Sequence, residues 1–434
     1  SFQALSVSLS GRVGTGNIAG VAAAIGFGGP GAVFWMWIVA FLGASTAYVE
    51  SALGQIYKEE DEGQYRGGPA YYIEKAMGQK WYAWIFAITT IIATGLLLPG
   101  VQSNSIGNAA ELAFGGETVI SFFGDSISAT KIATAVIVVT VLGFIIFGGV
   151  KRIAHFTQIV VPFMALGYIV MALGVIAFHI GDLPAIVALI VTDAFTPMAG
   201  VGAAIGWGVK RGVYSNEAGQ GTGPHAASAS EVEHPAQQGL VQAFSVYVDT
   251  LFVCSATAFM ILITNQYYVT GVEVVVSGGT LANDVQANSP AFTQYALQSV
   301  LGGFGKTFVA VALFFFAFTT LLAYYYIAET NVAYIRRTFR FRGEIVLLKL
   351  ALMTSVFYGT VRSADLAWAL GDVGVGIMAW LNIIGILILF LMGRPALRAL
   401  QDYEAQRRAG VTKYTFEPGK LGIKNADFWE KRGK

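Results

Sequence analysis

Ten apolar runs, each long enough to cross a bilayer, constrain this chain more than any other feature. They lie at roughly 2–27, 31–56, 81–113, 131–150, 156–180, 183–208, 237–264, 304–335, 344–361 and 364–392. A spanning helix needs about 20 mostly apolar residues. Within hydrocarbon, only helices and closed barrels satisfy every backbone polar group. Runs such as Val33 to Leu42 show no polar–apolar alternation, so helices are expected rather than barrel strands. Composition agrees: 12% of the 434 residues are charged, against about 25% in a soluble domain. That is too little charge to cover a water-soluble globule of this size. The net charge of +1 offers no bulk field to nucleic acid, and the single cysteine, Cys254, excludes a disulfide framework.

The cations test this map. With the start of the first run in the cytoplasm, 22 of the 27 Lys and Arg residues fall on cytoplasmic stretches, Lys210 and Arg211 among them. Only Lys131, Lys306 and Arg362 fall outside, while Arg12 and Lys349 lie within runs. This is the positive-inside bias. The basic segment 393–434 reads as a cytoplasmic tail, a surface helix with a loose end. The chain opens at Ser1 with no cleavage site ahead of the first run, so a missing or processed N-terminus is expected.

Ten runs divide into five and five, 1–180 and 181–392. An odd number per half inverts the second half relative to the first. Ala19 to Gly28 matches Ala199 to Gly208 at eight of ten positions. Each copy follows a helix breaker: Gly14-Thr15-Gly16-Asn17 in the first half, Phe195-Thr196-Pro197-Met198 in the second. Gly costs a helix about 1 kcal/mol and Pro about 3. Paired interruptions in corresponding positions are the sequence signature of a transporter's binding site.

A broken helix presents free N–H groups and a positive dipole end, which suit a carboxylate. It also presents free carbonyls, which suit a hard cation such as sodium. Thr15 and Asn17 add uncharged oxygens and an amide donor. Thr319 and Thr320 form a hydroxyl pair in the apolar stretch Phe314–Ala323. Back-bonding to the preceding turn and a sodium site shared with the first break are the two readings of that pair. Asp249 lies near the middle of run 237–264, where a carboxylate is expensive and functional by default. It can hold a substrate ammonium, hold the coupling ion, or pair with Arg12. Gln102, Ser103 and Asn104 form a polar island after Pro99-Gly100. Glu50, Glu111 and Glu329 lie near run ends and receive no role. The glycine-rich stretch Ser215–Pro224 lacks the preceding strand and Gly-Lys-Ser/Thr ending of a phosphate loop, and reads as cytoplasmic backbone under the second break. The four histidines show no metal-ligand spacing and no nucleophile–base pair stands out, so no enzyme and no organic cofactor are expected.

Three motifs together, Gly14-Thr-Gly-Asn-Ile-Ala-Gly20, Gly28-Gly-Pro-Gly-Ala-Val-Phe-Trp-Met-Trp37 and Tyr214-Ser-Asn-Glu-Ala-Gly-Gln-Gly-Thr-Gly-Pro-His225, resemble the alanine/glycine:cation symporter family. The resemblance covers essentially the whole chain. It implies an all-α, leucine-transporter-type fold of five plus five inverted helices, with the first and sixth core helices discontinuous. It also implies a helix before the core, expected to be absent here because the chain starts inside the first core helix. The implied activity is sodium-driven uptake of alanine or glycine across a prokaryotic cytoplasmic membrane. Carried over by position, Gly14, Thr15, Gly16 and Asn17 would hold the substrate carboxylate, with Gly14 and Asn17 also near the ion. Asp249 would hold the ammonium and Gln102 would line the site. Thr319 and Thr320 would complete the sodium site. Phe195 is expected to bound the pocket and limit side-chain size. Two other readings compete: a proton-coupled carrier with Asp249 as relay, and a channel with a broken-helix filter.

Overall fold

The computed structural model describes residues 9–122, 125–196, 200–270, 281, 285–339 and 342–432. Among these, eight helices are long and apolar enough to span a bilayer. They are α2 (Ala32–Ile56), α4 (Lys80–Phe114), α5 (Ala129–Ile146), α6 (Val150–Phe178), α10 (Pro235–Ile263), α12 (Gly303–Arg336), α13 (Glu344–Val361) and α14 (Ala364–Leu391). The two remaining crossings are discontinuous. In the first, a helical turn at 9–12 gives way to an extended Gly14 and a tight turn at Thr15–Asn17, then to α1 (Ala19–Gly28).

The second discontinuous crossing corrects the sequence reading. Run 183–208 is not one crossing. Its first part is α7 (Leu183–Asp193), whose 11 residues rise only about 16 Å. Gly31 donates its N–H to Asp193 Oδ2 at 2.7 Å and Trp35 Nε1 donates to the Ala194 carbonyl at 3.1 Å. These bonds pin α7 to the turn between α1 and α2. The crossing is instead α8 (Val201–Asn216), an unwound stretch, and α9 (Gly223–Ser228). Glu217, Gly219 and Gly221 have φ of 57°, 85° and 84°, which ends α8 and turns the chain. Thr196 therefore sits in a connection; Pro197 and Met198 lie outside the described residues. Lys210 and Arg211 lie within α8 rather than in a cytoplasmic stretch, and leave the count of loop cations.

The repeated Gly/Ala run has a packing explanation. Its first copy, α1, follows a break, whereas its second copy, the start of α8, precedes one. The two helices pack against each other. Phe27 stacks on Trp207 at 4.6 Å, and a Cβ on Gly28 would lie 3.1 Å from the Ala203 carbonyl oxygen. Small residues let membrane helices approach this closely, so the shared composition reflects a shared contact.

The remaining elements sit at the ends of the bundle. A hairpin, β1 (Glu59–Asp61) and β2 (Gln64–Arg66), and α3 (Pro69–Met77) join α2 to α4. A second hairpin, β3 (Val119–Phe122) and β4 (Asp125–Ser128), precedes α5, and α11 (Ala291–Leu301) precedes α12. The tail contributes α15 (Pro395–Arg408) and α16 (Asp427–Arg432), which lie at the end that carries the first hairpin and α3. That end is termed the tail end below. Helices α4 and α10 each contain a widened turn, at Ala93–Leu97 and Val248–Cys254. The first directly precedes Pro99, which has no N–H to give to the helix ladder. The second carries Asp249.

Candidate functional site

The first break is held by side chains from four other segments. Gly14 donates its N–H to Asn17 Oδ1 at 2.8 Å, and Thr15 donates its N–H to Gln102 Oε1 at 3.0 Å. These bonds satisfy donors that a helix start leaves free. Asn17 Nδ2 donates to Asp249 Oδ1 at 2.6 Å and lies 3.3 Å from Cys254 Sγ. Ser215, at the end of α8, places its hydroxyl 3.2 and 2.9 Å from the two Asp249 oxygens, and Thr250 Oγ1 donates to Oδ2 at 2.9 Å. Asp249 and Asn17 have no exposed surface. A carboxylate is acceptor-only when ionised, and every polar neighbour just named can donate to it. The arrangement is built for a negative charge at Asp249.

Gly14 and Gly16 are required by contact. A Cβ on Gly14 would lie 2.5 Å from Thr320 Oγ1, and one on Gly16 would lie 2.9 Å from the Ser215 Cα. The two breaks therefore meet backbone to backbone at Gly16 and Ser215.

On the other side of the break, Thr320 of α12 faces carbonyls. Its Oγ1 is 3.2 Å from the Ser10 oxygen, 3.4 Å from Val13 and 3.0 Å from Phe316. A hydroxyl has one proton, so it can donate to only one of three acceptors. One hydroxyl and three carbonyls thus gather hard, uncharged oxygens at a buried point. Thr319 Oγ1 lies 3.0 Å from both the Phe315 and Phe316 carbonyls and so back-bonds within α12. Each threonine thus back-bonds within α12, and Thr320 also reaches the first break.

The other residues singled out from sequence are distributed as follows. Ser103 bonds its own helix at the Gly100 carbonyl (3.3 Å), and Asn104 ties α4 to the end of α13 through Gly359 and Arg362. Only Gln102 of that island reaches the break. Arg12 donates to the Gln242 carbonyl at 2.7 Å and to Ser245 Oγ, not to Asp249. Phe195 is 55% exposed and packs on Phe34 and Trp35 at the α7–α8 junction. From Val201 to Ser215, α8 rises about 20 Å, so Phe195 is not brought to the break. The bulky groups that stand there are Tyr214 and Trp368, with ring centres 4.8 Å apart, and Trp368 lies 3.7 Å from where a Cβ on Gly20 would be. Arg211 lies 4.0 Å over the Trp368 ring and pairs with Asp372 of α14 at 2.9 Å, which Lys210 also reaches at 2.6 Å. This ion pair joins a discontinuous crossing to a continuous one.

Sequence reasoning missed Ser215, Thr250 and Cys254 around Asp249, and it missed Glu50. Glu50 is fully buried and accepts from the N–H groups of Gly219 (3.2 Å) and Gly221 (3.1 Å) and from Asn382 Nδ2 (2.7 Å). It holds the second break against α2 and α14. The available signal was Glu217–Thr222 itself: two glycines and three polar residues directly after a helix.

Comparison with known proteins gives the family and the fold. The profile of the sodium:alanine symporter family matches residues 1–417. The chain is 57% identical over 437 residues to the putative sodium/proton-dependent alanine carrier protein YrbD of Bacillus subtilis, covering 99% of this chain and 86% of that one. It is 48% identical over 436 residues to the sodium/proton-dependent alanine carrier protein of Bacillus sp. strain PS3, covering 99% and 93%. The crystal structure of MhsT in complex with L-phenylalanine aligns with a TM-score of 0.56 over 90% of this chain and 98% of that chain, at 15% identity. That likeness shows the fold, which is of the leucine-transporter type. A multi-pass chain with two interrupted crossings meeting at a buried carboxylate, matched over this length, is a membrane transporter and belongs to the sodium:alanine symporter family.

Proposed function

We propose that the chain carries alanine or glycine into the cell together with sodium, by alternating access. The observation that carries this reading is the position of the first break, between the Thr320 hydroxyl on one side and the Asp249 carboxylate on the other. A small amino acid is a zwitterion. Asp249 supplies the charge for its ammonium, and the Thr15 N–H, now held by Gln102 Oε1, supplies a donor for its carboxylate. Gln102 then acts as a stand-in acceptor that the substrate displaces. Tyr214 and Trp368, rather than Phe195, limit side-chain size.

Sodium sits among the carbonyls of Ser10, Val13 and Phe316 and the hydroxyl of Thr320, with Thr319 Oγ1 beside Phe316. Its charge is shared with the substrate through the same short break, which couples the two bindings. Asn17 turns its oxygen to the Gly14 N–H and so acts on the substrate side. The halves 1–180 and 181–392 act as two inverted repeats. The Arg211–Asp372 pair closes the path at the end where α1 meets α2, and rocking of the discontinuous crossings against α4 and α12 opens each end in turn. The tail end and the C-terminus face the cytoplasm of a prokaryotic cell, a reading that the cation bias supports. The test is uptake by proteoliposomes: an inward sodium gradient drives alanine accumulation, and uptake that proceeds equally without sodium contradicts the reading.

Proton coupling through Asp249 is the second reading, supported by the complete burial of that carboxylate. It requires uptake driven by external acidification in the absence of sodium.

Thr320→Ala removes one ligand oxygen, the hydroxyl that faces the Ser10 and Val13 carbonyls. Hydrogen-bond-like contacts to a charged group are worth about 1.5–3 kcal/mol. The sodium concentration for half-maximal uptake is expected to rise by about tenfold or more, with maximal rate less affected. An unchanged sodium dependence returns Thr320 to back-bonding alone.

A further inference from the structure

Segment 411–432 is tied to several other elements. Trp429 is buried and donates its Nε1–H to the Gln55 carbonyl, at the end of α2, at 2.8 Å. Arg432 donates to the Val232 carbonyl at 3.0 Å and pairs with Glu231 at 3.3 Å, both in the linker between α9 and α10. Asp427 pairs with Lys75 of α3 at 3.2 Å, and Asn425 Nδ2 donates to the Lys75 carbonyl at 2.8 Å. Further back, the Tyr414 N–H donates to Glu233 at 2.9 Å. Segment 411–432 therefore touches the end of α2, α3 and the linker that follows the second discontinuous crossing.

Lys58 is the point where these parts converge. It is fully buried, donates to the Ser230 carbonyl at 3.0 Å, and lies 4.4 Å from the Tyr65 ring centre and 4.6 Å from that of Phe428. One wall of its cage comes from the hairpin, one from α16, and its hydrogen bond from the linker. Gln55 makes a second tie to that linker, at the Ser230 carbonyl (2.9 Å).

The strap is also anchored to a different body. It continues from α14, which packs on α4, and runs through α15, which packs on α2 and α10. It thus spans elements that must separate if the tail end is to open. Its seat is part charged and part apolar. Beneath α16 lies a cavity of about 520 Å³ lined by Lys58, Glu59, Glu231, Asp427 and Arg432 among others. Phe416, Ile423, Ala426 and Trp429 of the strap are buried in the apolar cluster at this end, while Asp427 and Arg432 rest on charged partners, so Trp429 is one of a few apolar anchors whose loss loosens the seat.

We propose that segment 411–432 is a strap that holds the tail end of the transport path shut, and that its release admits the aqueous phase on that side to the substrate site. The inference rests on the alternating-access reading, and its test reads accessibility without requiring transport. Cys254 lies beside Asp249 and is the single cysteine of the chain, so it reports access to the site with no background. In purified protein, Trp429→Ala is expected to raise the rate of Cys254 modification by a small charged thiol reagent about five- to thirtyfold. Truncation after Gly410 should do the same, and a synthetic peptide of residues 411–434 should restore slow modification. Reversal by the peptide separates release of a strap from misfolding. Modification at the parental rate in both variants, or acceleration that the peptide does not reverse, overturns the proposal. Failure of sodium-driven uptake with this reversal intact would instead count against the transport reading.

Discussion

Asp249→Asn is expected to abolish alanine binding while leaving the fold intact. The amide is the same size, and one oxygen remains to accept from Asn17 or Ser215. What is lost is the charge. Two unit charges 4 Å apart interact by about 4 kcal/mol at an effective dielectric of 20, which corresponds to roughly a thousandfold in affinity. The amide also turns an NH2 toward a group of donors that converge on the carboxylate: Asn17 Nδ2, Ser215 Oγ and Thr250 Oγ1. Calorimetry with alanine in saturating sodium checks this, alongside a thermal melt for the fold. Binding at the parental affinity would show that the ammonium is held elsewhere.

Gly16→Ala is the second variant with a large expected effect. Its methyl carbon would stand 2.9 Å from the Ser215 Cα. A flexible side chain could swing away, but a backbone atom cannot, so the two breaks must move apart. Overpacking of this kind costs about 1–3 kcal/mol, and here the strain falls on the group that positions Asn17 and Ser215 around Asp249. Alanine affinity is expected to fall by about ten- to a hundredfold. Gly20→Ala is the matched control, because its Cβ would meet nothing closer than 3.7 Å. Both variants are read by alanine titration; equal affinities would show that the Gly16–Ser215 contact does not shape the site.

Much of this was legible in the sequence because bilayer physics leaves few options. Apolar length located the eight continuous crossings, and Gly14–Asn17 stood out because polar and flexible residues interrupt an otherwise apolar run. Asp249 stood out for the same reason. The second break was misplaced for an instructive cause. Pro197 is the stronger helix breaker, but it falls in a connection where no helix has to be broken. The true interruption, Glu217–Thr222, follows Lys210 and Arg211, and three charges within eight positions resemble an aqueous loop. Lys210 is exposed, but Arg211 is buried against a partner far along the chain, Asp372, 161 positions beyond it, and the interruption itself is held by Glu50 on α2. A single sequence does not reveal such pairings. The same limit hid Ser215 and Cys254, whose roles exist only because α8 ends where α10 widens its turn. Phe195 was misassigned because the position of the break was.

Alanine binding in sodium and in potassium, at equal ionic strength, tests the central claim most directly. If the carbonyls facing Thr320 hold sodium and the same break holds the substrate, each ligand must raise the affinity for the other by the same factor. The account predicts heat of alanine binding in sodium and none in potassium, with alanine affinity rising as sodium is increased. Equal binding in both salts would contradict it, leaving the fold and family in place and removing sodium from the site.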